Sequence, residues 1–284
     1  VRLLSFEDGS GPQGGIQLGQ EIVPLSVLDA PADTGRGLPG ELNRDRLAAL
    51  GHSAGEADRR ISIFDVRLLA PVPDPQKIVC LGLNYRDHAA EAKQEIPRAP
   101  MWFAKFANSL IGGREPIVLP AAYPAHVDYE AELAVVIGRT AADVSAAEAL
   151  SHVAGAMPFN DVSARDLQFE NPLWTSGKAI DSFAPCGPAL VTLDDIEDLQ
   201  SLALRTRVNG ELLQEGTTAE QIFGVGEVVA WLSRTMTLLP GDIIATGTPA
   251  GVGASQGRFL RDGDTVEVEV DGLGTLVNPV RESA

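Results

Sequence analysis

The stretch Val127-Asp-Tyr-Glu-Ala-Glu-Leu-Ala-Val-Val-Ile-Gly138 decides how the chain is read. Its apolar second half stops at a glycine and is far shorter than the ~20 residues a membrane-spanning helix needs, so it reads as a buried strand. In a strand, residues two apart share a face, which sets the Glu130 and Glu132 carboxylates side by side. Neighbouring like charges call for a cation, a shared proton or a basic partner, unless the face is solvated. Asp161, in Asn160-Asp-Val-Ser-Ala-Arg-Asp-Leu-Gln168, either adds a third carboxylate or caps a short following helix. No Cys₂His₂ or His-x-x-x-His pattern accompanies these acids. Three oxygen donors suit a hard cation, Mg²⁺ or Mn²⁺, better than zinc.

Outward from this stretch the chain keeps the same texture. Short apolar segments at 78–82, 116–119, 132–137, 189–192, 203–208, 241–245 and 265–270 are punctuated by Gly and Pro, and Thr265-Val-Glu-Val-Glu-Val270 alternates with the period of a half-solvated strand. Helices are expected at 145–156, where Ser145 precedes Glu148 by three residues, and at 218–231, where Ile222, Val225 and Val229 recur at helical spacing. A polar, partly helical stretch is expected at 42–60. The pattern is a β-rich α+β fold, neither a Rossmann alternation nor a βα barrel. Pro71, Pro73 and Pro75 mark a connector, which divides a small N-terminal α+β domain, 1–70, from a catalytic domain, 71–284.

Composition removes several function classes. A formal net charge of −17 on 284 residues opposes binding to a phosphate backbone, so no nucleic-acid partner is expected. No apolar run spans a bilayer and the first residues lack a secretory pattern, so a cytoplasmic protein without a membrane partner is expected. Cys80 and Cys186 are read as reduced core residues.

Gly82-Leu-Asn-Tyr-Arg-Asp-His-Ala-Ala-Glu91, Asp128-Tyr-Glu-Ala-Glu132, Asn160–Gln168, Gly177-Lys178 and Gly241-Asp-Ile-Ile-Ala-Thr-Gly-Thr-Pro-Ala-Gly-Val-Gly253 together resemble the fumarylacetoacetate hydrolase family. The resemblance implies a mixed β-roll catalytic domain, usually homodimeric, behind a small variable N-terminal domain. It implies an enzyme of aromatic catabolism that acts on a small oxo-carboxylic acid with Mg²⁺ or Mn²⁺ held by Glu130, Glu132 and Asp161. The leading expectation is hydrolysis of a C–C bond in an acylpyruvate-like, 2,4-diketo acid, with one fragment leaving as an enolate. Isomerisation, tautomerisation, decarboxylation or hydration of related 2-oxo or 2-hydroxydienoic acids is the alternative, and a non-catalytic metal-binding module is a third.

The resemblance carries a catalytic dyad onto His88 and Glu91, and the residues agree. Three apart on a helical turn, Glu91 can orient the imidazole as a general base, although His88 could also be an ordinary surface histidine beside Asp87. Lys178 is implied to face developing negative charge. Arg165 and Gln168 are implied to contact substrate, while Arg165 could equally be a salt bridge within the acids. Thr248, in a Gly-rich loop that lacks the P-loop Lys, and Lys105 complete the implied substrate contacts. Segment 85–100 is expected to close over the site. Val162 and the Ala179-Ile-Asp181 run depart from the commonest family pattern and bear on pocket shape.

Overall fold

The apolar run after Glu132 forms the strand Ala131–Ile137, and every residue in it is buried. Leu133, Val135 and Ile137 enter one apolar cluster with Val79, Leu81 and Val228, whereas Ala134 and Val136 enter another with Ile78, Cys80 and Leu190. A strand covered on both faces is apolar throughout, which explains why alternation is lost after Glu132. The computed structural model describes residues 1–28, 44–122, 125–170 and 172–283.

This strand lies deep in a long mixed sheet. From one edge the order is Ile61–Ser62, Glu21–Pro24, Pro12–Leu18, Arg2–Glu7, Leu190–Thr192, Val153–Asn160, Ala131–Ile137, Ile243–Ala245, Ile78–Gly82 and Met101–Lys105, with Arg67–Leu69 also paired to Arg2–Glu7. Pairing is antiparallel except between Ile243–Ala245 and Ile78–Gly82. A second sheet runs Glu211–Thr217, Ala203–Val208, Thr265–Val270, Gly274–Glu282 and Ile117–Leu119. The N-terminal strands share the first sheet through Leu3 opposite Leu190. The chain is therefore a β-rich α+β fold, with helices as short connectors.

Two expected helices shorten. Only Ala146–Ala149 is α-helical after Ser145, followed by a 3₁₀ turn at Leu150–His152, and the chain then enters the wholly buried strand Val153–Asn160. Helix propensity in the Ala-rich run yields to burial between two strands. Gly155 makes that packing possible, because a Cβ there would lie 2.1 Å from the Val191 carbonyl oxygen. The helix expected from 218 starts instead at Val225, after Gly224, whose N–H donates to the Glu227 carboxylate at 2.9 Å. In the 42–60 stretch the helix is Arg44–Glu56, and positions 42 and 43 lie outside the described residues.

Cys80 and Cys186 are free and buried in one apolar cluster, and burial pushes both thiols upward. Among the described residues no helix is long and apolar enough to cross a membrane.

Candidate active site

Pairing between Ala131–Ile137 and Val153–Asn160 places Ala131 opposite Asn160, so Glu130 and Asp161 leave adjacent strand ends together. The Asp161 N–H donates to the Glu130 carbonyl at 2.9 Å, and the Glu130 N–H donates to Asn160 Oδ1 at 3.0 Å. This clamp gathers the Glu130, Glu132 and Asp161 carboxylates, which can each offer an oxygen within 4.8 Å of the others. All three are buried.

Three cations enclose the acids. Lys178 donates to Glu130 Oε2 and Asp161 Oδ2, both at 2.8 Å. It arrives on the short helix Thr175–Lys178, packed against Arg165–Glu170 at Gly177, where a Cβ would sit 2.6 Å from the Ala164 carbonyl oxygen. Arg165 donates through Nε and Nη2 to the two Asp128 oxygens at 2.7 and 3.0 Å, through Nη2 to Glu130 at 2.7 Å, and through Nη1 to Gln168 Oε1 at 2.8 Å. Lys105 donates to Asp161 Oδ1 and to the Val162 and Phe183 carbonyls. Its three N–H groups are thereby used and its side chain is wholly buried, so it is a cation behind the acids and not the substrate contact expected for it.

The electrostatics show where the compensation is incomplete. Burial opposes ionisation of Glu130, but the Lys178 ammonium and Arg165 guanidinium outweigh it and hold the carboxyl well below the usual range. Glu132 goes the other way: burial, then the Asp161 and Glu130 charges, push it well above that range. Its Oε2 accepts from the Gly247 N–H at 2.9 Å, while its Oε1 is buried without a partner. Four buried carboxylates, Asp128 included, thus face three buried cations, and the orphaned oxygen belongs to the triad. An all-oxygen set with excess negative charge and an unpartnered lone pair fits a hard divalent cation.

His88 and Glu91 stand in the wall of the adjoining cavity, which measures about 890 Å³ and is also lined by Glu130, Arg165, Gln168 and Thr248. The helix Arg86–Glu91 carries both, and His88 Nδ1 lies 3.2 Å from Glu91 Oε2. Glu91 Oε1 accepts from the Gly251 N–H at 2.9 Å and the Ser255 hydroxyl at 2.7 Å. The Gly-rich loop therefore touches the dyad at Gly251 and the triad at Gly247. Thr248 lies between them, but its hydroxyl donates to the Ala131 carbonyl at 2.8 Å and accepts from Gln214 Nε2 at 2.9 Å. That leaves no hydroxyl proton for a substrate.

Asp128 and Gln214 are site residues that sequence reasoning left without roles. Strand alternation could have found Asp128, two residues before Glu130. Gln214 comes from the other sheet, and no local signal marks it.

The family model for the fumarylacetoacetate (FAA) hydrolase C-terminal region matches residues 77–281. The chain belongs to the fumarylacetoacetate hydrolase family. Within that family it is similar to a mitochondrial oxaloacetate tautomerase of Xenopus laevis, 39% identical over 99% of this chain and 90% of the relative. It is also similar to the crystal structure of a 2-hydroxyhepta-2,4-diene-1,7-dioate isomerase from Mycobacterium marinum, with 38% identity, coverage of 100% and 99%, and a TM-score of 0.79. A maleylpyruvate hydrolase from Sphingobium, solved with manganese(II) and pyruvate, matches at 30% identity with full coverage of both chains and a TM-score of 0.84. These relatives span tautomerase, isomerase and hydrolase on one fold, and fold membership alone does not select among them.

Proposed function

We propose that this chain is a Mg²⁺- or Mn²⁺-dependent enzyme that moves a proton at the enolisable carbon of a small 2-oxo acid, interconverting enol and keto forms. The observation that carries the reading is the anchored His88–Glu91 pair in the same cavity wall as Glu130, the outermost member of the acid triad. Glu130, Glu132 and Asp161 would hold the cation. When bound, it supplies Lewis acidity and a template for the oxo-carboxylate head.

Glu91, fixed by Gly251 and Ser255, keeps His88 Nδ1 engaged, which leaves Nε2 to exchange protons. Ketonisation adds one proton to carbon and removes one from the enol oxygen, and an imidazole nitrogen that can both take up and release a proton can serve either transfer. Lys178 uses two N–H groups on Glu130 and Asp161, so its third is available to an oxygen that gains negative charge. Similarity to oxaloacetate tautomerases over nearly the whole chain supports tautomerisation ahead of the C–C hydrolysis expected from sequence.

Hydrolysis of an acylpyruvate-like acid is the second reading, and the cavity favours it. About 890 Å³ is more than a four-carbon acid fills, and His88 could take its proton from water instead of carbon. A panel of enol-oxaloacetate, acetylpyruvate, fumarylpyruvate and 2-hydroxydienoates, assayed with Mn²⁺ or Mg²⁺ and again with chelator, decides. Fast chelator-sensitive ketonisation with slow cleavage supports the first reading, and the reverse supports the second. No metal-dependent turnover of any member overturns both.

A further inference from the structure

Glu132 is the least restrained of the three acids. Lys178 bonds both Glu130 and Asp161, Arg165 reaches Glu130, and Lys105 reaches Asp161. Among the described residues the Glu132 carboxylate accepts one hydrogen bond, from the Gly247 N–H at 2.9 Å. The direction of that N–H therefore governs where the carboxylate points. It belongs to the Thr246–Gly247 peptide unit, which is planar, so a group that grips the Thr246 carbonyl also aims the Gly247 N–H on the other side. Asn84 is such a group: its Nδ2 donates to the Thr246 carbonyl at 2.8 Å in the protein interior.

Asn84 is itself firmly held. It is buried, its Nδ2 also donates to the Phe223 carbonyl at 3.1 Å, and its Oδ1 accepts from the Phe223 N–H at 2.9 Å. Its backbone carbonyl accepts from the Ile222 N–H at 2.7 Å. Leu83, just before it, has a φ of +54°, a conformation that residues other than glycine seldom adopt and that persists only where neighbours enforce it. Tyr85, just after it, is the N-cap of the helix that carries His88 and Glu91. We propose that Asn84 is a positioning residue: through the Thr246–Gly247 peptide it aims Glu132 at the cation, and it ties that acid to the root of the dyad helix. This role rests on the reading of Glu132 as a cation ligand. Groups that orient a ligand from behind act on metal affinity as well as on stability, because a preset oxygen has less freedom to lose when the ion binds.

Calorimetric titration with Mn²⁺, well below the melting temperature, tests the role, since a residue that only ties the core together leaves the metal affinity of the folded protein unchanged. Asn84→Leu keeps the bulk of the side chain and Asn84→Ala does not, but both remove the donor to Thr246. Each should weaken Mn²⁺ binding about tenfold or more. Ser233→Ala removes two hydrogen bonds in the remote helix Val225–Thr235, from the Val144 N–H and to the Ala230 carbonyl, and should lower the melting temperature with Mn²⁺ affinity unchanged. Wild-type affinity in a folded Asn84 variant overturns the assignment, as does an equal loss in Ser233→Ala. A wild type that binds neither Mn²⁺ nor Mg²⁺ overturns the cation reading of the triad, and this role with it. If neither Asn84 variant folds, NMR of the wild type during Mg²⁺ titration decides: the Gly247 amide and the Asn84 side-chain NH₂ signals should shift with one midpoint, and a Gly247 shift with Asn84 stationary overturns the role.

Discussion

His88 Nδ1 lies 3.2 Å from Glu91 Oε2, one turn along the helix Arg86–Glu91, and the second oxygen of Glu91 is held from the Gly-rich loop. Both oxygens therefore accept hydrogen bonds, from His88 on one side and from Gly251 and Ser255 on the other. Glu91→Gln cannot reproduce this, because an amide has one acceptor oxygen and must turn its NH₂ toward either His88 or Gly251. We expect kcat to fall about 10²-fold or more in Glu91→Gln and at least as far in His88→Ala, on the scale of general acid–base catalysis. Metal affinity should stay near wild type in both, and the double variant should be no slower than His88→Ala. Additive losses in the double variant would show that the two residues do not act as a unit.

Glu132 presents a different balance. It is fully buried, one oxygen has no partner, and the charges of Asp161 and Glu130 oppose its ionisation. Glu132→Gln removes that conflict without changing shape, so the metal-free variant should melt at a higher temperature than the metal-free wild type. The variant should also lose the rise in melting temperature that Mn²⁺ gives the wild type, a stabilisation worth ~2.7 kcal/mol when free ion is at a hundredfold excess over Kd. A variant that melts lower without metal, or still responds fully to Mn²⁺, contradicts the placement of Glu132 in a cation site.

How much of this was legible in sequence depends on the range of each interaction. The Glu130 and Glu132 pair was visible because strand period is local, and the His88 and Glu91 spacing because helix period is local. Lys105 was read as a substrate contact, and the structure places its ammonium behind the acids. Its partners, Asp161 and the Phe183 carbonyl, come from other elements, and sequence does not say which lysine ends behind an acid and which before a substrate. The strand Val153–Asn160 was hidden because an alanine-rich run reads as helix until Gly155 is seen against Val191. Arg165 kept two readings in sequence, and the structure realises the salt bridge.

That salt bridge has its own consequence. Arg165 grips Asp128 with two donors and reaches Glu130 and Gln168 with others, so the planar fork is used in full. Lysine can keep the charge but not this geometry. Arg165→Lys should therefore weaken Mn²⁺ binding and lower stability by about 1–3 kcal/mol, the cost of leaving a buried acceptor without its hydrogen bond. Asp128→Asn should share the stability loss, because it also weakens the acceptor of the Ala254 N–H. Chemical denaturation with calorimetric metal titration checks both, and a variant within about 0.5 kcal/mol of wild type, the range of ordinary surface changes, would assign Arg165 no structural part.

Gln214 connects the two sheets at the site. Its Oε1 accepts from the Ala131 N–H, between the two glutamates, at 2.9 Å and from the Thr206 hydroxyl at 2.8 Å. Its Nε2 donates to the Thr248 hydroxyl at 2.9 Å and the Pro249 carbonyl at 3.1 Å, in the loop that holds Glu132 through Gly247 and Glu91 through Gly251. One buried amide thereby sets the loop's position against the Glu130–Glu132 strand. Gln214→Leu leaves several buried polar groups unpaired, at about 1–3 kcal/mol each, so the melting temperature should fall. A purely structural residue would stop there. If Gln214 sets the site, the folded variant should also bind Mn²⁺ more weakly and lose kcat more than it gains KM. Thr248→Val, which removes the hydroxyl's bonds to the Ala131 carbonyl and from Gln214 Nε2 but keeps the Gln214 bonds to the Ala131 N–H and the Pro249 carbonyl, should reproduce the metal defect with a smaller loss of stability. Full metal affinity and kcat in folded Gln214→Leu would confine the residue to holding the sheets together.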